Sequence, residues 1–302
     1  MKRLLPSFLS IFLSACALTG CVHKAAVGTP AEQLATAWSD YRLGEFSSAQ
    51  VGFEGVVAGA KPGSGPHLQG LYGLATTWNL RRPGEDTGKA ATLYRELLRL
   101  APTNDLAAWS QLALARLQHL VPVGEEPDYP AVRKAYQEVI DRFPQHLAGE
   151  EAFIYQQSTY LLNRDNKAEA REALEALQRF VQTHAGSRFL NPAYNVMGAA
   201  HRMLGEPDAA VACMVKAFET TEADADNPSQ EFAGTYWSIA ATAEFEAGDF
   251  ASARKFYKRL IAEYPVDQRV QGARDALTRM DAVEAGLRGG SNVVAAAGGI
   301  AP

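Results

Sequence analysis

The residues that could perform metal or nucleophilic chemistry are scattered along the chain rather than grouped. No Ser-His-Asp or Cys-His arrangement stands out, and pairs of carboxylates are too common on exposed helices to indicate catalysis. The histidines have no metal-ligand spacing and are typical of surface or packing positions: His23, His67, His119, His146, His184 and His201. These patterns predict that the protein is not an enzyme and holds no metal or other cofactor.

Two short motifs match ligand-binding loops only in part. The segment from Gly84 to Ala90 has three residues between its glycines where a phosphate loop has four, and Ala90 replaces the hydroxyl that would bind magnesium. Asp224 and Asp226 begin like a calcium loop, but Pro228 takes the place of a ligand. We interpret the first motif as a turn between helices and the second as a solvated acidic turn.

Composition narrows the class of protein. The chain has 302 residues, of which 47% are apolar and 21% charged, and its formal charge is −5. These fractions are typical of a folded chain and argue against intrinsic disorder. The acidic balance argues against nucleic-acid binding, which needs clustered Lys and Arg. The one run of 18 or more residues without Asp, Glu, Lys or Arg after residue 20, residues 62–80, contains two prolines, His67 and several other polar residues, so we expect no transmembrane helix in the mature protein.

The first residues form a targeting pattern. Lys2 and Arg3 precede an almost wholly apolar run from Leu4 to Leu18, which at about 22 Å as a helix is too short for a comfortable membrane crossing. This order predicts a secretory signal peptide over residues 1–20. The following Leu18-Thr19-Gly20-Cys21 resembles the bacterial lipobox. The resemblance implies cleavage before Cys21 and acylation of its thiol and new amine.

An anchored Cys21 has consequences for location. Val22 follows it rather than Asp, which in bacteria that use the familiar sorting rule implies the outer membrane, with the protein facing the periplasm. Residues 21–29 then form a tether of at most about 30 Å. The alternative is an ordinary signal peptide cut elsewhere, with Cys21 a bystander. Cys213 would be the one cysteine remaining; it is expected to be a small buried hydrophobe, or alternatively a reactive thiol.

A pattern of about 40 residues repeats along the rest of the chain. A small residue, needed where two helices cross closely, is followed four residues later by a large one, and the intervals between units are 37 to 43 residues. The small positions are Ala49, Ala90, Val132, Ala173, Ala210 and Ala253, and the large ones are Phe53, Tyr94, Tyr136, Leu177, Met214 and Tyr257. Gly44, Gly205 and Gly248 stand at expected turns, and Pro102, Pro144 and Pro265 at expected ends of second helices.

The last unit resembles a tetratricopeptide repeat most clearly. Trp237 stands on its first helix, Gly248 at the turn, and Phe250, Ala253 and Tyr257 on its second helix, ahead of Pro265. The resemblance implies an all-α, tetratricopeptide-like solenoid. We expect about six helical hairpins over residues 30–266, a capping helix over 268–287, hence a domain of 30–287, and a flexible Gly/Ala-rich tail over 288–302.

First helices line the concave face of such solenoids, where partners usually bind. Aromatic and Arg residues dominate binding hot spots. The candidate groove residues are Trp38, Tyr41, Arg42, Asn195, Arg202, Thr242 and Phe245. For Trp38 and Phe245 the alternative to partner binding is packing between repeats. A basic cluster on a second helix is expected to be a solvated face: Arg254, Lys255, Lys258 and Arg259.

Taken together, these features are similar to bacterial tetratricopeptide-repeat lipoproteins, some of which serve as accessory subunits of outer-membrane β-barrel assembly or as pilotins that place secretin rings. The ending Arg179–His184 and the repeat spacing are closer to the barrel-assembly accessory lipoprotein. The resemblance implies an adaptor for envelope proteins, including a β-barrel or a secretin as partner, anchored to the membrane by lipid. The alternatives are a peptidoglycan- or carbohydrate-binding module or cryptic cell-wall hydrolase, and a mainly structural lipoprotein.

Overall fold

The structure, a computed structural model, describes residues 28–79, 86–163, 165–221 and 232–297, with side chains described as far as residue 287. Across these ranges the regular structure consists of thirteen α-helices and one π-helical turn, without a strand. The helices form two compact units that divide between Pro102 and Thr103. The predicted signal peptide, Cys21 and most of the tether lie outside the described residues, as does the whole acidic motif at Asp224. Of the motif that begins at Gly84, only Gly84 and Glu85 lie outside them; Asp86 caps the fourth helix, which begins at Thr87.

The first unit contains two helical hairpins, and each of its helices packs against the next. Its helices are α1 (Pro30–Arg42), α2 (Phe46–Gly59), α3 (Gly65–Trp78) and α4 (Thr87–Leu100). Thr29, the last residue of the predicted tether, caps α1 by accepting a hydrogen bond from the Glu32 amide, while the Glu32 carboxylate accepts one from the Thr29 amide. This reciprocal capping box satisfies two amides that have no partner within the helix.

The second unit contains four hairpins and a final single helix. Its helices are α5 (Asp105–His119), α6 (Tyr129–Arg142), α7 (Leu147–Thr159), α8 (Lys167–Thr183), α9 (Leu190–Leu204), α10 (Pro207–Glu219), α11 (Ala233–Thr242), α12 (Phe250–Glu263) and α13 (Val270–Ala297). A π-helical turn, Ala243–Ala247, extends α11. Successive helices pack together, and first helices also contact one another, as α5 does α7 and α7 does α9.

The repeat register predicted from the sequence is confirmed by burial. The six small residues at the crossing position are all buried, and five of the six large residues that follow are buried as well. Met214 is the half-buried exception, and it packs at the edge of the last apolar cluster. Small residues at these crossings allow second helices to approach first helices closely.

Turns and helix ends also follow the sequence. Gly44, Gly205 and Gly248 have φ of 81°, 79° and 67°, a conformation that favours glycine. Pro102, Pro144 and Pro265 each come two residues after the last residue of α4, α6 and α12, since proline cannot continue a helix. In the fourth hairpin, where Ala185 replaces such a proline, α8 still ends at Thr183.

The last helix is longer than the sequence indicated. It begins at Val270, close to the expected start, but continues beyond residue 287 to Ala297, so ten residues of the segment predicted as a flexible tail have helical backbone. Two glycines weaken a helix by about 1 kcal/mol each without ending it, and the alanines at 295–297 favour its continuation. None of the helices in the described ranges is both long and apolar enough to cross a membrane.

Candidate functional site

The π-helical turn in the last hairpin exposes an aromatic side chain between two ion pairs. A π-turn adds a residue to one helical turn, and such turns are frequent at functional sites. Within Ala243–Ala247, Glu244 points inward and is 7% exposed, whereas Phe245 is 68% exposed. Gly248 follows in the left-handed conformation and ends the helix. Two neighbouring side chains therefore face opposite surroundings at a single bend.

The buried carboxylate holds the final helix against the hairpin. Glu244 accepts a hydrogen bond from Arg279 Nε at 2.8 Å and one from the Tyr257 hydroxyl at 3.0 Å. The Nη2 atom of Arg279 lies 2.7 Å from the same carboxylate. Burial, and to a smaller extent the hydrogen bond to Glu244, raises the pKa of Tyr257, so its hydroxyl keeps its proton and remains a donor. A buried charge is tolerated only when paired and hydrogen-bonded, and Glu244 meets both conditions.

A second ion pair ties α9 to the π-turn. Arg202 Nε and Nη2 donate to the two carboxylate oxygens of Glu246 at 2.8 and 2.5 Å. Both side chains are partly exposed, so the pair contributes on the order of 0–1 kcal/mol to stability. The planar geometry with two hydrogen bonds contributes mainly by fixing the orientation of the Arg202 side chain. Arg202 is therefore held beside the π-turn.

Phe245 is the one exposed aromatic side chain in the part of the chain whose side chains are described. The guanidinium of Arg279 lies 5.1 Å from the centre of its ring. Packing between repeats, the alternative considered from the sequence, does not describe Phe245. An exposed aromatic ring beside arginine has the composition of a binding hot spot. We name Arg202, Phe245, Glu246 and Arg279 the Phe245 patch.

The other groove candidates of the second unit are placed differently. Asn195 is exposed on α9 and donates to the side-chain oxygen of Asn191 at 3.0 Å. Thr242 is 7% exposed, so its assignment to a binding surface is wrong. The reason is its position at the start of the π-turn, a segment that packs against both α10 and α12.

In the first unit, two of the three candidates are packing residues. The Trp38 ring meets Phe53 edge to face at 4.8 Å and Tyr41 at 5.6 Å, at the edge of the apolar core. Burial raises the pKa of Tyr41. Trp38 therefore fits the packing alternative. Arg42 is exposed at the end of α1.

The other residues whose types could bind a metal, react as a nucleophile or bind an acidic partner have structural roles. Cys213 is buried, as expected, and burial raises the pKa of its thiol. In the described ranges no group of three or more His, Cys, Asp or Glu could hold a metal ion. Within the basic cluster, Arg254 is paired with Asp281 and Glu284 on α13.

Sequence reasoning missed three residues of this site: Glu244, Glu246 and Arg279. The repeat pattern assumes a regular helix up to Gly248, whereas the π-turn changes which side chains point inward. The one available signal was Glu at two positions beside Phe245, in a stretch where a solenoid helix would bury apolar residues. No sequence pattern indicated that Arg279 would pair with Glu244, which is 35 positions away.

Comparison with known proteins bears on this same hairpin. Residues 239–265 match the tetratricopeptide repeat family. The chain contains a tetratricopeptide repeat. The repeat covers the end of α11, the π-turn with Phe245, and α12. The other five hairpins share its register but lie outside the matched residues. No curated protein matches the sequence.

Solved structures show similar folds at low identity. A chain in the crystal structure of the APC/C hetero-tetramer Cut9–Hcn1 is 17% identical to this chain, and the two superpose with a TM-score of 0.50 over 83% of this chain and 42% of that one. A tetratricopeptide repeat protein from Parabacteroides merdae is 14% identical with a TM-score of 0.48, over 82% and 83%. MamA from Desulfovibrio magneticus RS-1 is 17% identical with a TM-score of 0.41, over 66% and 98%. The predicted fold class, an all-α tetratricopeptide-like solenoid, is confirmed.

Proposed function

We propose that this protein is a protein–protein interaction adaptor whose partner contacts the Phe245 patch. The exposure of Phe245 carries the proposal. An isolated exposed aromatic ring costs free energy in water unless a partner covers it. The two ion pairs hold the ring's surroundings in place, which reduces the entropy lost on binding.

The chemistry of the patch favours a protein partner. The charges of its two arginines are balanced by Glu246 and by the buried Glu244 beneath the patch, so binding rests on apolar contact with the ring and on hydrogen bonds at the rim. Tetratricopeptide solenoids use first helices as binding faces, and α9, the π-turn and α13 supply the patch. In the Cut9–Hcn1 hetero-tetramer, a solenoid of this fold is assembled with a second protein.

The location belongs to the same proposal and is supported by sequence alone. The signal peptide pattern and the Leu18-Thr19-Gly20-Cys21 lipobox support a lipid anchor, and Val22 supports the outer membrane. In that setting the partner is another envelope protein, such as an outer-membrane β-barrel or a secretin. Metabolic labelling with palmitate tests the anchor, because a Cys21→Ser variant loses the label if the lipobox is used.

Site-specific photo-crosslinking tests the binding face. A photoreactive residue at position 245 is expected to crosslink a discrete partner band in native membranes. The matched control is position 266, because Val266 is 97% exposed in the turn before α13, outside the Phe245 patch. Equal crosslinking at both positions, or none at position 245, contradicts the assignment of the face. Co-sedimentation of the unlipidated protein with cell-wall sacculi would instead favour a peptidoglycan-binding module.

A further inference from the structure

The turns between the first and second helices of the hairpins lie side by side along one edge of the second unit. Arg133, near the start of α6, lies 3.5 Å from Glu169 in the next hairpin. Arg171 lies 3.5 Å from Glu206 in the hairpin after that, and the ion pair of Arg202 continues the series to the π-turn. We name this surface the turn edge, and it comprises residues 120–133, 160–163, 165–171, 202–211, 243–254 and 279–287.

Exposed apolar side chains are concentrated on the turn edge. In the part of the second unit whose side chains are described, eight large apolar side chains are exposed. Six of them belong to this edge: Leu120, Val123, Leu162, Phe245, Val283 and Leu287. The last two are on α13, which reaches the edge because Arg254, near the start of α12, binds Glu284 at 2.8 Å. The other two, Leu147 and Val266, lie at the opposite ends of the hairpins.

Packing does not account for the apolar residues in these turns. Val123 is fully exposed and so buries no surface, and Leu162 leaves about half of its surface in water. Turns depend on residues such as proline and glycine, which Pro122 and Gly124 already supply beside Val123. Single exposed apolar residues are common on proteins, but six along one edge indicate a surface that another molecule covers.

The charges of the turn edge indicate what kind of molecule covers it. Each described arginine of this edge is bound to a carboxylate: Arg133, Arg171, Arg202, Arg254 and Arg279. By contrast, four exposed carboxylates have no ion pair within the described residues: Glu125, Glu126, Asp165 and Asp208. Among those same residues Lys167 is the one cation of the edge without an ion pair. The unpaired charge of the turn edge is therefore mainly negative.

An apolar surface with unpaired carboxylates fits a protein whose apolar side chains are accompanied by Lys or Arg. An anionic lipid surface would repel the carboxylates. A second copy of this chain, docked symmetrically, would place the same carboxylates against each other. The turns that hold Val123 and Phe245 are three hairpins apart, about 30 Å at the usual spacing of packed helices. That distance matches the width of a standard interface of about 800 Å² per partner.

We infer that the turn edge from Val123 to Phe245 is one docking surface, and that it binds a protein whose contact surface combines apolar side chains with Lys or Arg. This inference rests on the proposed function, because it extends the binding face beyond the Phe245 patch and specifies the chemistry of the partner.

Photo-crosslinking at position 123 of the full-length protein in native membranes tests the extent of the surface. We expect position 123 to capture the same protein as position 245, identified by mass spectrometry. The crosslinked peptides of that protein should carry Lys or Arg beside apolar residues. Position 266 is the matched control, because Val266 is likewise an exposed valine in a turn but lies at the opposite edge.

Reversal of the unpaired charges tests the chemistry. Glu125→Lys together with Glu126→Lys should weaken binding of the captured protein at least about tenfold, because like charges would then meet. Added salt should weaken binding by the unmodified protein. The control is Glu138→Lys together with Glu175→Lys, which reverses two exposed carboxylates on α6 and α8 outside the turn edge and should leave binding unchanged. Both double variants should keep the original thermal midpoint, since all four side chains are exposed.

The outcomes separate this inference from the proposed function. Capture at position 245 but not at position 123 overturns the inference and leaves the Phe245 patch as the binding face. Capture at position 123 alone, at neither position, or equally at position 266 overturns both. Crosslinks from position 123 only to lipid or to a second copy of this chain overturn the inference, as do acidic crosslinked peptides. So does full binding by the double variant at positions 125 and 126.

Discussion

Replacing Arg279 by Met should loosen the final helix more than neutralising its buried partner does. The Glu244 side chain is 4% exposed and that of Arg279 is 46% exposed. Arg279→Met retains the aliphatic stem but leaves a buried carboxylate with only the Tyr257 hydroxyl as donor. Breaking a buried ion pair from one side costs about 3–5 kcal/mol, and because Arg279 is half exposed we expect a cost of about 3 kcal/mol here.

The isosteric change Glu244→Gln should cost less. It removes the charge that needs a partner, and the half-exposed Arg279 can be solvated by water. The remaining loss is one charge-assisted interaction, about 1.5 kcal/mol. The double variant should resemble Glu244→Gln rather than the sum of the two single changes, because no unpaired buried charge remains in it.

Hydrogen exchange of the α13 amides measures this difference locally. In a stack of repeats the terminal helix opens with its own free energy, so a loss of about 3 kcal/mol should speed exchange by roughly two orders of magnitude. Arg274→Met is the control, because Arg274 is exposed on the same helix. The reasoning is refuted if Glu244→Gln accelerates exchange as much as Arg279→Met does.

Three further predictions concern packing and titration. Ala253→Trp should lower the free energy of unfolding by roughly 1–3 kcal/mol or more in urea titrations, because Ala253 is fully buried at a helix crossing. Gly149→Ala should destabilise the fold by about 1–3 kcal/mol and so lower the thermal midpoint, because the added methyl group would overlap the Phe143 carbonyl oxygen. Burial raises the pKa of Tyr236 to about 12, so the stability that depends on its neutral hydroxyl should be complete below about pH 10 and fall as the pH rises toward 12. Tyrosinate absorbance as a function of pH measures this titration.

Matched changes separate these effects from general fragility. Ala251→Trp places the same side chain at an exposed position of α12 and should be nearly neutral. Gly59→Ala introduces a methyl group with nothing within 4 Å and should be neutral or slightly stabilising. Equal losses at Ala251 and Ala253 would contradict the repeat register. A tyrosine titration without any component above pH 10 would contradict the burial of Tyr236.

The hairpins were predictable because each depends on a local pattern that the sequence repeats. A small residue at the crossing, a large residue one turn later and a glycine or proline at the turn are enough to set the register, as Ala253, Tyr257 and Gly248 show in the last hairpin. Exposure of Arg202 and Phe245 followed from that register.

The interactions that shape the site were not predictable in the same way. The π-turn departs from the regular helix that periodicity assumes, which is why Thr242 was placed on the surface although it is buried. The pairing of Glu246 with Arg202 joins residues 44 positions apart, and only folding brings them together. The end of α13 was misjudged because Gly289 and Gly290 weaken a helix without ending it.

The dissociation constant of the partner captured at position 245 tests the central claim most directly. Hot-spot aromatics contribute about 2 kcal/mol or more, so Phe245→Ala should weaken binding about 30-fold or more, while Val266→Ala leaves it unchanged. Equal affinities for the two variants would show that the Phe245 patch is not the binding face.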